Sequence, residues 1–90
     1  MSFTTNKAVG ETFAIAMNPG LTVTVTWANG EKETFVTDGS MQTLTLASSA
    51  FTLETDTEVT SLYVAGNGLT NMDLTNISSS LKKLYCGNNE

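Results

Sequence analysis

Leu21-Thr-Val-Thr-Val-Thr-Trp27, followed by Ala28-Asn29-Gly30 and by Glu31-Lys-Glu-Thr-Phe35, is the stretch on which the fold turns. Leu21, Val23, Val25 and Trp27 alternate strictly with Thr22, Thr24 and Thr26. That period of two is what a β-strand with one apolar face requires. A two-residue loop after Ala28 would set Phe35 opposite Thr24, on the polar face. A three-residue loop over Ala28-Asn29-Gly30, with Gly30 in the left-handed region, sets Phe35 opposite Val23 instead. A slip of one residue moves every side chain to the other face, so the longer loop with its bulge is expected.

The same alternation spreads outward from this hairpin. Upstream, Phe13, Ile15 and Met17 share one face of Glu11 to Met17, and Asn18-Pro19-Gly20 makes a turn. Downstream, Asp38-Gly39 turns into a strand carrying Gln42, Leu44 and Leu46, and Phe51 with Leu53 forms a further short strand. The chain holds sixteen Thr against a single Pro, and Thr, branched at Cβ, favours strand over helix. Five short strands joined by Gly, Asn and Asp turns read as an all-β module, a small antiparallel β-sandwich. No segment carries a long run at helical spacing.

Composition narrows the chemistry. The 90 residues carry four Lys, nine acidic residues and a net charge of −5, with no Arg and no His. Nucleic acid and anionic membranes recruit clustered cations, so neither is the expected partner. His is the commonest general base and metal ligand near neutral pH, and here it is absent. The single Cys forms no internal disulfide or zinc cluster. No nucleophile elbow, phosphate loop or paired catalytic carboxylate stands out. The expectation is a protein that is not an enzyme and uses no cofactor. Met1 to Gly20 show no basic segment followed by an apolar run, so no secretory leader is expected there. No window approaches the length of a membrane span.

The stretch Val23 to Phe35, with its strand, Trp27 and glycine turn, resembles the central hairpin of PKD-type immunoglobulin-like domains. Its turn is Ala28-Asn29-Gly30, where that family has Gly-Asp-Gly. The resemblance implies an Ig-like sandwich over residues 1–57. The last third has another pattern. Val59-xx-Leu62-x-Val64-xx-Asn67-x-Leu69 recurs as Leu81-xx-Leu84-x-Cys86-xx-Asn89, displaced by 22 positions. Leu69-xx-Met72-x-Leu74 fits an intervening strand. Residues 58–90 are thus similar to leucine-rich repeats, in which alternate strand residues face inward and the Asn bonds the backbone of the following turn. Leu-Tyr-Cys-Gly-Asn-Asn is similar to repeats in proteins of gut bacteria. A repeat array needs about three units to bury its core, so this segment must lean on the sandwich, on another chain or on further repeats.

The expected core comprises Phe13, Ile15, Val23, Val25, Trp27, Phe35, Leu44, Leu46, Leu62, Val64, Leu74, Leu84 and Cys86. Cys86 takes an inward repeat position and has no His to activate it, which makes it a core thiol rather than a nucleophile. Glu54, Asp56 and Glu58 share one side of an extended strand. They suit either Ca²⁺ or a solvated acidic loop, and the loop is favoured because further oxygen ligands and a tight Gly turn are missing. Trp27, Tyr63 and Tyr85 suggest a sugar platform, but Trp27 lies on the core face. Tyr63 and Tyr85 hold equivalent repeat positions and should stack as an exposed pair, which either anchors an interface or packs plainly against the sandwich. Phe3 and the arm Met1 to Asn6 are candidate docking elements that add a strand to a neighbour's sheet. Lys82-Lys83 reads as a solvated turn, and Asn76-Ile77-Ser78 matches a glycosylation sequon.

Together these features point to a structural or assembly protein that docks on a protein partner, either subunits of a capsid or other assembly or copies of itself. The chain is similar to small Ig-like decoration proteins of tailed, crAss-like bacteriophages, which implies a virion location. The alternative is an adhesion or glycan-binding module at the start of a leucine-rich-repeat protein on a bacterial surface. Both are analogies at the level of the family.

Overall fold

The alternation read along the chain is realised as strands throughout residues 1–87, which the computed structural model describes. In chain order these are β1 (Ser2–Thr5), β2 (Thr12–Met17), β3 (Thr22–Trp27), β4 (Lys32–Val36), β5 (Gln42–Thr45), β6 (Ala50–Thr55), β7 (Ser61–Tyr63), β8 (Leu69–Asp73) and β9 (Lys83–Tyr85). A 3₁₀ turn at Thr75–Ile77 joins the last two. One sheet has the order β4-β3-β6-β1-β8 and the other β5-β2-β7-β9. All these pairings are antiparallel except that of β7 with β9. The architecture is all-β, two sheets with one core between them.

The β3–β4 hairpin adopts the register that keeps one face apolar: Val23 lies opposite Phe35 and Thr26 opposite Lys32. Trp27 donates its N–H to Glu31 O and Gly30 donates to Trp27 O, both at 2.9 Å, which closes the loop over Ala28-Asn29-Gly30. Gly30 has φ +89°, a conformation that costs a residue with a Cβ more than it costs glycine. Trp27 is buried, and its indole N–H donates to Glu33 Oε2 at 2.7 Å. That bond offsets the cost of taking a polar group out of water.

β1 corrects the expectation of a free N-terminal arm. It runs between β6 and β8, with Phe3 opposite Phe51 on one side and Met72 on the other. Phe3 is only 2% exposed. Its ring lies 5.8 Å from that of Phe13 and 5.7 Å from that of Phe51, while Phe51 also meets Phe13 edge-on at 5.1 Å and Trp27 at 5.0 Å. Burying this aromatic cluster is worth far more than leaving Phe3 in water for a partner. Phe3 is therefore a centre of the core and not a docking residue.

Of the expected core, Phe13, Ile15, Val23, Val25, Trp27, Leu44, Leu46, Leu62 and Val64 are buried. Phe35 and Leu74 are partly buried and pack against that core, Phe35 because β4 is an edge strand. Leu84 and Cys86 are exposed, a departure whose cause lies in the second sheet. The boundary expected after Thr57 does not separate two cores. β7 pairs with β2 and β8 with β1, and Val59, Leu62, Val64, Leu69 and Ile77 belong to the same buried cluster as Phe13 and Val25. The C-terminal segment thus supplies strands to both sheets of the sandwich.

Candidate functional site

β7 and β9 lie side by side in parallel, and each β7 residue faces the residue 22 positions later: Ser61 faces Lys83, Leu62 faces Leu84 and Tyr63 faces Tyr85. Thr60 O accepts N–H groups from Lys82 at 2.8 Å and Lys83 at 3.1 Å, and Val64 N–H donates to Tyr85 O at 2.8 Å. The ladder continues past the strands, where Gly66 N–H reaches Gly87 O at 3.0 Å. The sequence displacement and the strand register are therefore the same number.

Equivalent residues of the two strands meet different surroundings. Leu62 is 1% exposed and Leu84 41%; Val64 is fully buried and Cys86 is exposed. The inward side of β7 faces the core, which the chain segment after it extends with Leu69 and Ile77 and with the partly buried Met72, Leu74 and Leu81. Among the described residues nothing comparable lies beyond β9. A groove of about 180 Å³ remains between Cys86 and the β8 residues Leu69 to Met72. Asn89, which the repeat pattern places after Cys86, lies outside the described residues.

Asn67 holds this region to the rest of the sandwich. It is 2% exposed. Its Nδ2 donates to Val64 O at 2.8 Å and to Ala14 O at 2.7 Å, and its Oδ1 accepts the Ala14 N–H at 2.9 Å. The pattern led to an expectation of bonds to the following turn; the bonds to β2 are additional. Gly68, at φ +65°, sits against Asn6, and a Cβ there would run into the Asn6 side chain. The nearby hydrogen bond from Asn6 N–H to Gly68 O at 2.8 Å keeps the two segments close.

On the outer face, Tyr63 and Tyr85 are 39% and 57% exposed. Their rings are 5.8 Å apart and inclined at 42°, the exposed pair that equivalent positions on neighbouring strands require. Ala16 lies opposite Tyr63 on the other side. One further apolar residue belongs to this face and was not singled out in the sequence. Met41, just before β5, is 48% exposed, and extending the Ile15–Gln42 pairing by one residue sets it beside Ala16. Its signal, an apolar residue after the Asp38-Gly39-Ser40 turn, is too common to select it.

The remaining candidates separate. Trp27 belongs to the core, so no sugar platform includes it. Glu54, Asp56 and Glu58 are all exposed along an acidic groove of about 540 Å³ that Asn76, Ser79 and Ser80 also line. Asp56 Oδ1 accepts the Thr22 N–H at 2.9 Å, and among the described residues no three acidic, Cys or His side chains converge as metal ligands do. Lys82 and Lys83 are exposed where the chain enters β9. Asn76 Oδ1 accepts a bond from the amino group of Met1 at 3.2 Å, and burial holds that amino group below its ordinary pKa. Asp73 lies at the end of β8, where hydrogen bonds from the Thr75 hydroxyl and N–H hold its carboxyl below the usual range. Asp38 is held down in the same manner by Ser40.

Comparison with family models, with curated proteins and with solved structures finds no match.

Proposed function

We propose that this chain is a non-enzymatic assembly module whose β9 edge receives a further β segment of protein. The reading rests on one observation: β9 repeats β7 in parallel at 22 residues, yet leaves Leu84 and Cys86 exposed where Leu62 and Val64 are buried. β9 is the last strand of its sheet among the described residues, and an edge strand that presents apolar side chains is a template for pairing. The segment that fits in the same register is a strand with Leu-x-Val or Leu-x-Cys spacing, preceded by a crossing that covers the groove beside Leu69. This favours an Ig-like module that opens a leucine-rich-repeat array, as in a bacterial surface protein. Docking on a virion would use the same edge, but it would not call for the 22-residue register.

The test is to append a second copy of residues 69–90 after Glu90, which puts a Leu at the position the pattern requires and supplies a further crossing and strand. The reading predicts one cooperative unfolding transition at a higher melting temperature than that of the 90-residue chain. An unchanged or lower melting temperature, or a tail that unfolds separately, contradicts it.

A further inference from the structure

We propose that Tyr63 and Tyr85 are an oxidative cross-linking site, at which one-electron oxidation joins the two rings through a carbon–carbon bond and ties β9 to β7. The inference does not depend on what the β9 edge receives.

Placement carries it. The chain has two tyrosines, and the fold sets them in register on neighbouring parallel strands. Neighbouring strands lie only about 4.8 Å apart, so in such a ladder like residues stand side by side on one face. The ring centroids are 5.8 Å apart and the rings are inclined at 42°. Both side chains are exposed, so an oxidant reaches either one. Exposed side chains turn between rotamers within nanoseconds, which brings the edges of two rings this close together repeatedly. The other close ring pairs among the described residues, of Phe3, Phe13, Phe51 and Trp27, are buried and contain no phenol.

A phenol is the group for which this placement has a chemical consequence. Loss of one electron and one proton leaves a phenoxyl radical whose unpaired electron is shared with the ring carbons ortho to the oxygen. Two such radicals on neighbouring rings couple ortho to ortho. Each coupled carbon then gives up its proton and each phenol oxygen takes one back, which restores both aromatic rings. Two C–H bonds are lost, one C–C bond is gained and both hydroxyls remain. The two electrons and two protons pass to hydrogen peroxide, acting through a haem peroxidase, which leaves as two molecules of water.

The surroundings favour the internal bond. The groove of about 210 Å³ beside the rings is lined by Ala16, Gly39, Ser61, Leu62 and Lys83, none of them readily oxidised, and by Met17, which is buried. Groups held side by side react as if at a concentration far above that of a second chain, so coupling within the molecule outruns coupling between molecules. The bond also closes the chain from Tyr63 to Tyr85 into a loop. That restricts the unfolded chain and should raise the melting temperature. A strand of three residues at the rim of its sheet is thereby fixed in place.

The test is to treat the 90-residue chain, at micromolar concentration, with a haem peroxidase and hydrogen peroxide. Cys86, an exposed thiol that would reduce a phenoxyl radical, is alkylated beforehand. The expected product is monomeric, shows the blue fluorescence of dityrosine and melts above the untreated chain. A protease that cuts after Lys should release residues 33–82 joined to residues 84–90, lighter by two hydrogen atoms than the separate peptides. Tyr63→Phe and Tyr85→Phe each keep the ring and remove the phenol, and each should abolish the product. Tyr85→Phe combined with Leu84→Tyr keeps two tyrosines but turns one to the other side of β9. Its internal bond should form at least about tenfold less. Circular dichroism checks that the variants are folded. Three results overturn the proposal: coupling only between molecules, no coupling where free tyrosine couples in a parallel reaction, or an equal yield from the shifted variant.

Discussion

β7 and β9 carry nearly the same residues in the same order, Ser-Leu-Tyr against Lys-Leu-Tyr, yet one lies inside the sandwich and the other at its rim. Leu62 and Leu84 are neighbours across a parallel ladder, and one is buried while the other is not. The contrast separates two properties that an apolar pattern merges. Alternation fixes which side of a strand faces inward, because side chains point to opposite faces at a period of two. Whether anything lies on that side is decided by the chain that follows. After β7 come β8 and the Thr75–Ile77 turn, and after β9 the described chain has no equivalent.

The largest expected effect sharpens that contrast directly. Leu62→Ala removes a buried side chain and should cost about 3 kcal/mol, whereas Leu84→Ala should cost no more than about 0.5 kcal/mol. Urea unfolding of the two variants measures both. Equal costs would mean that β9 is covered as fully as β7.

Asn67 follows. Asn67→Ala strips its bonds to Val64 and Ala14 and leaves the N–H and C=O of Ala14 without them, which should cost about 2–3 kcal/mol by the same measurement. A loss under about 0.5 kcal/mol would mean that this Asn does not hold β7 to β2.

Much of this was legible in the sequence, and particular residues show why the rest was not. The Val23–Phe35 register was readable because a slip by one residue would place Phe35 among threonines. The 22-residue recurrence was readable because Leu62, Tyr63 and their counterparts keep their spacing. β1 was missed although Met1, Phe3 and Thr5 alternate with Ser2 and Thr4, because four residues at a chain end give too short a period to count. What makes it a strand is tertiary, the slot between β6 and β8 and the ring contacts of Phe3. β8 was legible as an intervening strand, but its pairing with β1 was not, because it is a contact between chain segments more than sixty residues apart. The exposure of Leu84 and Cys86 was illegible for the reason the comparison gives: their pattern is that of inward residues.

Two smaller predictions probe the joint between the repeat-like segment and the N-terminal strands. Gly68→Ala should cost about 1–2 kcal/mol, from the positive φ and from the Asn6 side chain that a Cβ would meet. In the Asn6→Ala background the clash is gone, so the same change should cost less; an equal cost in both backgrounds would place the whole effect in backbone strain.

The smallest effect concerns Asp73, whose carboxyl is held below its unfolded pKa by Thr75. A depressed carboxyl stabilises the fold above its unfolded pKa, and that contribution disappears as pH falls through the depressed folded value. Asp73→Asn should therefore melt slightly below the parent chain at neutral pH, and the gap should close as pH falls through the depressed folded value. A gap that persists in acid would show that the carboxylate charge is not what Thr75 holds.

One further repeat should cover Leu84 and Cys86, which are exposed on β9. Cys86 reports on it without any substitution. The rate at which a water-soluble thiol reagent labels Cys86 should be fast in the 90-residue chain. It should fall by at least about tenfold when a second copy of residues 69–90 follows Glu90, as for a group released only by local opening. The copy brings its own Cys, so that residue is changed to Val in the extension. Equal labelling of Cys86 in both chains would contradict the claim.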